Sequence, residues 1–220
     1  MDRRPRAVLS ATDLVVGYRR GRPVVDGASI DIAAGEVLGL AGPSGSGKST
    51  LGRVLALLHR PWSGRVSLDG GDITGFRHRT PPETRRAIGI VFQHPRPAVD
   101  PRFTLREIIA EPLLANGEPA DIAEITDEVG LTGELLTRRP HEVSDGQLQR
   151  ACLARALAPR PRYLVCDEMT AMLDASTTAA LVRVVDRQTR ENNTGVLAIS
   201  HDEALLTRWA HRVVHVSELI

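Results

Sequence analysis

The chain has 220 residues, 42% of them hydrophobic and 25% charged, with 28 Lys plus Arg against 27 Asp plus Glu and a formal net charge of +1. That balance excludes a chain built to coat nucleic acid or to carry an acidic tail, and the length suits one compact domain, with or without a small satellite. The longest apolar runs fall far short of the ~20 residues a membrane span needs, and Arg3, Arg4 and Arg6 are not followed by the apolar region of a signal peptide.

In chain order, residues 7–16 and 28–41 carry strand-like patterns, with Asp26-Gly27 and Ala34-Gly35 as turn punctuation. Tyr18 follows the first strand in a polar Gly-Tyr-Arg-Arg-Gly loop. In a chain with 3% aromatic residues, that tyrosine reads either as a base-stacking platform or as an exposed loop residue. The apolar run Val37-Leu38-Gly39-Leu40-Ala41 then enters Gly42-Pro43-Ser44-Gly45-Ser46-Gly47-Lys48-Ser49-Thr50, and a helical pattern follows at Leu51, Val54, Leu55 and Leu58. Strand, glycine-rich turn and helix are the setting of a phosphate-binding P-loop. Its glycines let backbone N–H groups turn toward an anion, and the helix N-terminus adds partial positive charge. Lys48 is placed to reach the β- and γ-phosphates of a nucleoside triphosphate, and the Ser49 hydroxyl to coordinate Mg²⁺.

Pro61-Trp62-Ser63-Gly64 ends that helix, Val66–Leu68 begins a short strand, and Asp69-Gly70-Gly71-Asp72 reads as a turn. Residues 75–86 are polar and basic, a solvated connection. Ile88-Gly89-Ile90-Val91-Phe92 reads as a buried strand with Gln93 at its C-terminal end. Ligands of open α/β sheets sit beyond those ends, so Gln93 is placed either to meet the metal or the attacking water, or simply to cap the strand. From His94 to about Pro140, prolines at 95, 97, 101, 112 and 119 break the chain, Thr104–Leu114 and Asp121–Val129 read as amphipathic helices, and no strand pattern occurs.

Ser144 heads a small-apolar helical pattern through Leu157, as an N-cap whose hydroxyl, with the Gly146 N–H, also suits an anion. Tyr163-Leu164-Val165-Cys166 then ends in Asp167 and Glu168. Two carboxylates at a buried strand end are costly without a cation, which makes Asp167 a Mg²⁺ partner and Glu168 a group able to take a proton from water. Ser176–Gln188 reads as a helix and Gly195–Ile199 as another buried strand, with His201 just beyond it. Gln93, Glu168 and His201 thus stand at three strand ends on one rim. The two cysteines, Cys152 and Cys166, lie in apolar contexts and read as buried groups of a reducing cytosol.

Order and spacing together resemble the nucleotide-binding subunit of an ABC transporter over nearly the whole chain. The resemblance makes residues 42–50 the Walker A loop, Gln93 the Q-loop, Ser144-Asp145-Gly146-Gln147 the signature and Asp167-Glu168 the end of Walker B. It makes Ala171-Met172-Leu173-Asp174 the D-loop, His201 the switch histidine and Tyr18 the aromatic that stacks on adenine. The segment Gln93–Thr104 with Glu107–Leu113 is similar to that of the oligopeptide and nickel importer ATPases, which carry Gln-x-Pro…Asn-Pro-Arg and Ile-x-Glu-Pro-Leu.

The implied fold is α/β: a P-loop NTPase (RecA-like) core with an N-terminal antiparallel β subdomain, spanning 1–93 and about 156–220, and an inserted helical subdomain at about 94–155. The implied activity is ATP hydrolysis with Mg²⁺ held by Ser49, Gln93 and Asp167, Glu168 polarising water, His201 contacting the γ-phosphate, and Lys48 assisting. Implied partners are a second ABC ATPase facing head to tail, transmembrane permease subunits and a substrate-binding protein, with no nucleic acid. The implied location is peripheral, on the cytoplasmic face of the cell membrane. The alternative is an exporter ATPase or a soluble non-transport ABC ATPase, although the latter needs a coiled-coil insertion or second cassette that 220 residues do not hold.

The chain departs from the family pattern at several positions. It ends at Ile220, soon after Val213–Val216, so the C-terminal extension of many members, with any regulatory role, is expected to be missing. Val143 and Asp145 stand where the family usually has leucine and glycine, and Met169 and Met172 replace more usual residues near the D-loop. A carboxylate beside a triphosphate is unfavourable unless it points away or meets a cation, and because a signature serves the partner's ATP, Asp145 argues for a heterodimer rather than a homodimer.

Overall fold

The computed structural model describes residues 8–19, 21–171 and 173–219. In chain order the elements are β1 (Val8–Val16), β2 (Val25–Ala33), β3 (Val37–Ala41), α1 (Lys48–Leu55), β4 (Ser63–Leu68), β5 (Gly71–Asp72), α2 (Pro82–Arg86) and β6 (Ile88–Val91). They continue with α3 (Leu105–Ala115), α4 (Ala123–Glu128), α5 (Gly133–Leu136), α6 (Asp145–Leu157), β7 (Tyr163–Asp167), α7 (Ala175–Glu191), β8 (Gly195–Ile199), α8 (Glu203–Trp209) and β9 (Arg212–His215).

The strands form two sheets. An antiparallel one has the order β2-β1-β4-β5, and a five-stranded one, parallel at every pairing, has the order β6-β7-β8-β3-β9. Strands β3, β7 and β8 are buried at every residue, as a parallel sheet covered on both faces requires. Their side chains alternate between two cores. Leu38, Leu40, Tyr163, Val165, Leu197 and Ile199 join Leu9, Leu14, Ile30 and Ile32 of the antiparallel sheet and Leu51 and Leu55 of α1. Val37, Ala41, Leu164, Cys166, Val196 and Ala198 join α3, α6 and α7 through Ile108, Leu148, Leu153 and Val185. The period-two repeat of three central strands therefore sets the layering: antiparallel sheet and α1 on one face, helices on the other.

Between β6 and β7 the described elements are helical, and Thr104 and Ser144 close reciprocal capping boxes with Glu107 and Gln147 at the starts of α3 and α6. Cys152 and Cys166 are free and buried, and burial pushes the Cys152 thiol up to about 11.

Three local readings are corrected. Asp26-Gly27 is not a turn but lies inside β2, where Leu14 pairs Ala28 and Val15 pairs Asp26, leaving Gly27 (φ 83°) as the extra residue of a bulge. The helix after the P-loop stops at Leu55, because Leu57 takes φ 62° and the N–H groups of Leu57 and Leu58 bond back to Val54 and Arg53. That is a Schellman ending with leucine where glycine is usual, and it leaves Leu58 41% exposed instead of on the helix's buried face. Residues 75–86 hold a 3₁₀ turn at Arg77–Arg79 and α2, anchored by buried Thr80, rather than a wholly solvated connection.

Candidate functional site

The glycine-rich loop leaves the buried end of β3 and becomes the N-terminus of α1. Gly47, its N-cap, has φ 98°, and a Cβ there would lie 2.8 Å from Val25 Cγ2, so both conformation and the close approach of β2 demand glycine. Gly45 has φ 80° in open space, so only its backbone conformation is at stake. Across the loop, Lys48 Nζ donates to the carbonyls of Gly42 (2.6 Å) and Pro43 (2.9 Å). Lys48 is 4% exposed and, among the described residues, has no carboxylate partner. The Ser46 hydroxyl is buried without a hydrogen-bond partner and points toward Gly42. An uncompensated ammonium, an orphan hydroxyl and a helix N-terminus facing one small loop suit a polyanion.

Ser49 and Asp167 come together as the sequence implied. Ser49 Oγ donates to Asp167 Oδ1 at 2.7 Å. Burial pushes the Asp167 carboxyl above its ordinary range, against the Ser49 hydrogen bond and the charges of Arg53 and Lys48. A hydroxyl and a buried carboxylate in contact are the hard oxygen donors that Mg²⁺ takes.

The three polar residues beyond the strand ends converge on a single atom. Gln93 Nε2 donates to Glu168 Oε2 at 3.0 Å, and His201 Nδ1 lies 3.2 Å from the same oxygen. Facing a carboxylate, that nitrogen carries the proton, which leaves Nε2 without it when the ring is neutral. No described side chain donates to Oε1, which is left open to accept a hydrogen bond. Glu168 itself has φ 49°, and its N–H bonds the Ile199 carbonyl of β8. A non-glycine residue held there is strained by about 1–3 kcal/mol, and strain of this kind gathers at functional positions. Adjacent parallel strands β6, β7 and β8 thus hold Gln93 and His201 each within hydrogen-bonding distance of Glu168, on the rim where the P-loop leaves β3.

Tyr18 is 57% exposed and sits over the start of α1. Its hydroxyl lies 3.3 Å from Thr50 Oγ1 and 3.3 Å from Arg53 Nη1, and its ring is tilted against His59 with centroids 5.1 Å apart. An open aromatic face beside the loop is thereby fixed from below.

The structure does not bring Ser144, Gly146 and Gln147 to the chain's own P-loop. Ser144 Oγ accepts from the Gln147 N–H at 3.2 Å, and Gln147 Oε1 accepts from the Ser144 N–H at 3.0 Å. A Cβ on Gly146 would meet Leu173 and Thr177 at 3.7 Å and Ser144 Oγ at 4.0 Å, ordinary contact, so packing inside this chain does not require glycine. Asp174 caps α7 by accepting from Ser176 Oγ, the Thr177 N–H and Thr177 Oγ1, and these bonds hold its carboxyl well below the usual carboxylate range. Met169 is buried in the core, while Met172 lies outside the described residues.

Two residues not singled out from the sequence join these parts. Gln149, 1% exposed, donates to the carbonyls of Phe92 (2.9 Å) and Met169 (3.0 Å), tying α6 to the residues next to Gln93 and Glu168. Arg96 is the cation that Asp145 meets, with Nη2 at 2.7 Å from Oδ1. The complementary charges at 96 and 145 were visible in the sequence, but 49 positions of separation hid their contact.

A family model described as ABC transporter matches residues 25–171. The sheets, the loop and the rim described above lie largely within that span, and the chain belongs to the ABC transporter family, as a cassette that binds and hydrolyses ATP. More particularly, it is similar to ATP-binding proteins of importers. It is 37% identical over 204 residues to YkfD of Bacillus subtilis (strain 168), named as an oligopeptide transport ATP-binding protein, covering 90% of this chain and 62% of that one. It is 37% identical to the nickel import ATP-binding protein NikE of Shigella boydii serotype 4, covering 90% of this chain and 76% of the relative. It is 40% identical to the glutathione import ATP-binding protein GsiA of Pectobacterium atrosepticum, covering 86% and 31%. The chain therefore spans about three-fifths of YkfD and about a third of GsiA. Among solved structures, the dimeric cassette MJ0796 in a post-hydrolysis state with ADP and Pi aligns with a TM-score of 0.85 at 26% identity, over 94% of this chain and 93% of that one.

Proposed function

We propose that this chain powers an ABC importer for small peptides or nickel and related chelates, as one of two ATPase subunits facing head to tail. The reading rests on the convergence of Gln93 and His201 on Glu168 Oε2 beside the Lys48–Ser49 loop. Residues 42–50 cradle the phosphates through loop N–H groups and Lys48, and Tyr18 stacks on the base. Ser49, Asp167 and Gln93 hold Mg²⁺, which when bound neutralises charge on the phosphate oxygens. Glu168 accepts a proton from the attacking water at Oε1, while Gln93 and His201 fix its orientation from Oε2. Ser144, Gly146 and Gln147 start α6 as an anion site and, being remote from their own loop, complete the ATP site of the partner subunit. On this reading residues about 94–155 move as the helical subdomain against the remainder.

Import is supported by the names of the relatives and by the Gln93–Leu113 segment. Described helices are none of them long and apolar enough to cross a membrane, so transport requires permease subunits, and delivery a substrate-binding protein. The subunit accordingly works at the cytoplasmic face of the cell membrane.

Glu168→Gln tests the reading. The variant retains ATP binding, loses turnover by about 10²–10⁴-fold, and accumulates as the closed ATPase pair in the assembled complex. Turnover near that of the wild type sinks the assignment.

A further inference from the structure

Asp145 opens α6 at the place where the proposed function puts the partner's triphosphate. A carboxylate there is favoured by the helix N-terminus but competes with the phosphate for the same field, and repels it. Arg96 resolves this conflict. Its guanidinium reaches three acceptors on one loop: Asp145 Oδ1 at 2.7 Å, the Pro140 carbonyl at 2.8 Å and the Val143 carbonyl at 3.2 Å. The Asp145 contact is an ion pair without the alignment of a hydrogen bond, and the two carbonyl bonds set where the cation sits.

The other side of Arg96 is equally fixed. It lies three residues after Gln93 in a 3₁₀ turn, Arg96–Ala98, whose last carbonyl accepts from Arg155 Nη1 of α6 at 2.6 Å. Gln149, also on α6, holds the Phe92 carbonyl. Residues 92–98 are therefore bound to the signature loop and helix at three places, with the Arg96 cation against Pro140, Val143 and Asp145.

We propose that Arg96 is the positioning residue that makes an aspartate signature usable. It cancels the charge of Asp145 toward the partner's nucleotide and turns the carboxylate away from the Ser144 and Gly146 donors. Both side chains are about half exposed within this chain, 48% and 46%, although Asp145 Oδ1 itself is out of solvent, so the pair gains further weight when a second subunit and its nucleotide exclude water from the rest of it. The inference rests on the composite-site reading above.

The test is steady-state ATPase of the assembled complex carrying Arg96→Ala, or Arg96→Ala with Asp145→Gly. Arg96→Ala alone raises KM for ATP by on the order of tenfold with kcat changed little, the mark of lost binding to ground and transition states alike. The double variant lacks the same two carbonyl bonds yet also lacks the carboxylate, so recovery of KM to within about twofold of the wild type isolates charge from loop structure. An unchanged KM in Arg96→Ala overturns the inference, and so does a double variant as impaired as the single one. Ser144→Arg in the same complex separates the two levels. If it is as active as the wild type, the composite site itself is wrong. If it is inactive while Arg96→Ala keeps its KM, only the role of Arg96 is wrong.

Discussion

The rim at the ends of β6, β7 and β8 and the signature edge at the start of α6 are both built of polar side chains, but by different means. On the rim, backbone topology does the placing: hydrogen-bonded parallel strands stand about 4.8 Å apart, so residues just past their ends must be neighbours whatever lies between them in sequence. Glu168 then needs only its own carboxylate to gather Gln93 and His201. On the signature edge, side chains do the placing. Arg96, Gln149 and Arg155 reach carbonyls 20 to 57 positions away, and Asp145 is set against one of the two arginines, Arg96. The strand-end site depends first on its terminal residues, whereas the signature edge depends on each of its side-chain ties.

The largest effect is expected where the rim meets the loop. Asp167→Asn keeps the hydrogen bond from Ser49 but removes the buried charge, so ATPase falls roughly 10²-fold or more while the protein becomes more stable. The sign follows from the raised carboxyl: a group whose folded pKa lies above its unfolded value stabilises below the unfolded value, and loses that contribution as pH rises through the folded one. At pH 7 the charged Asp167 is therefore a cost, and melting curves should place Asp167→Asn roughly 2–4 °C above the wild type. The gap should close on acidification toward the unfolded carboxylate pKa. A lower melting temperature at pH 7 would show that the rim holds its charge without strain.

Tyr18→Ala comes next. Loss of an aromatic stacking face raises KM for ATP roughly tenfold, and Tyr18→Trp restores most of it. Equal KM for alanine and tyrosine would make Tyr18 an ordinary exposed residue.

The smallest effect probes the seam between the two regions. Gln149→Met leaves the buried Met169 carbonyl and the partly buried Phe92 carbonyl without this donor, at a cost of about 1–3 kcal/mol read from denaturant unfolding. Turnover should fall with it, because those carbonyls flank Gln93 and Glu168. Unchanged unfolding would mean that α6 and the rim are independent.

The same contrast explains what the sequence made legible. The apolar strands, the P-loop, and Gln93, Glu168 and His201 could be placed because each is announced locally, by an apolar run and the residue that ends it. At Asp26-Gly27 the sequence does not separate strand from turn, since a glycine bulge and a turn use the same backbone freedom. The end of α1 is invisible in the sequence because Leu57 performs a glycine's role at φ 62°, for which leucine gives no signal. Asp145 leaves two outcomes open in the sequence, pointing away or meeting a cation, and nothing there picks Arg96 from the chain's other arginines until the fold joins them. Gln149 was silent altogether: one glutamine in a helical pattern carries no mark of burial.

The central claim is that the loop at 42–50 is half of a site, and that Ser144-Asp145-Gly146-Gln147 belongs to another chain's half. Ser144→Arg tests it most directly, by fluorescent ATP binding to the isolated chain and turnover of the assembled complex measured on the same preparation. The account predicts unchanged binding with turnover lost. Retained turnover, or binding lost in parallel with it, would contradict the account.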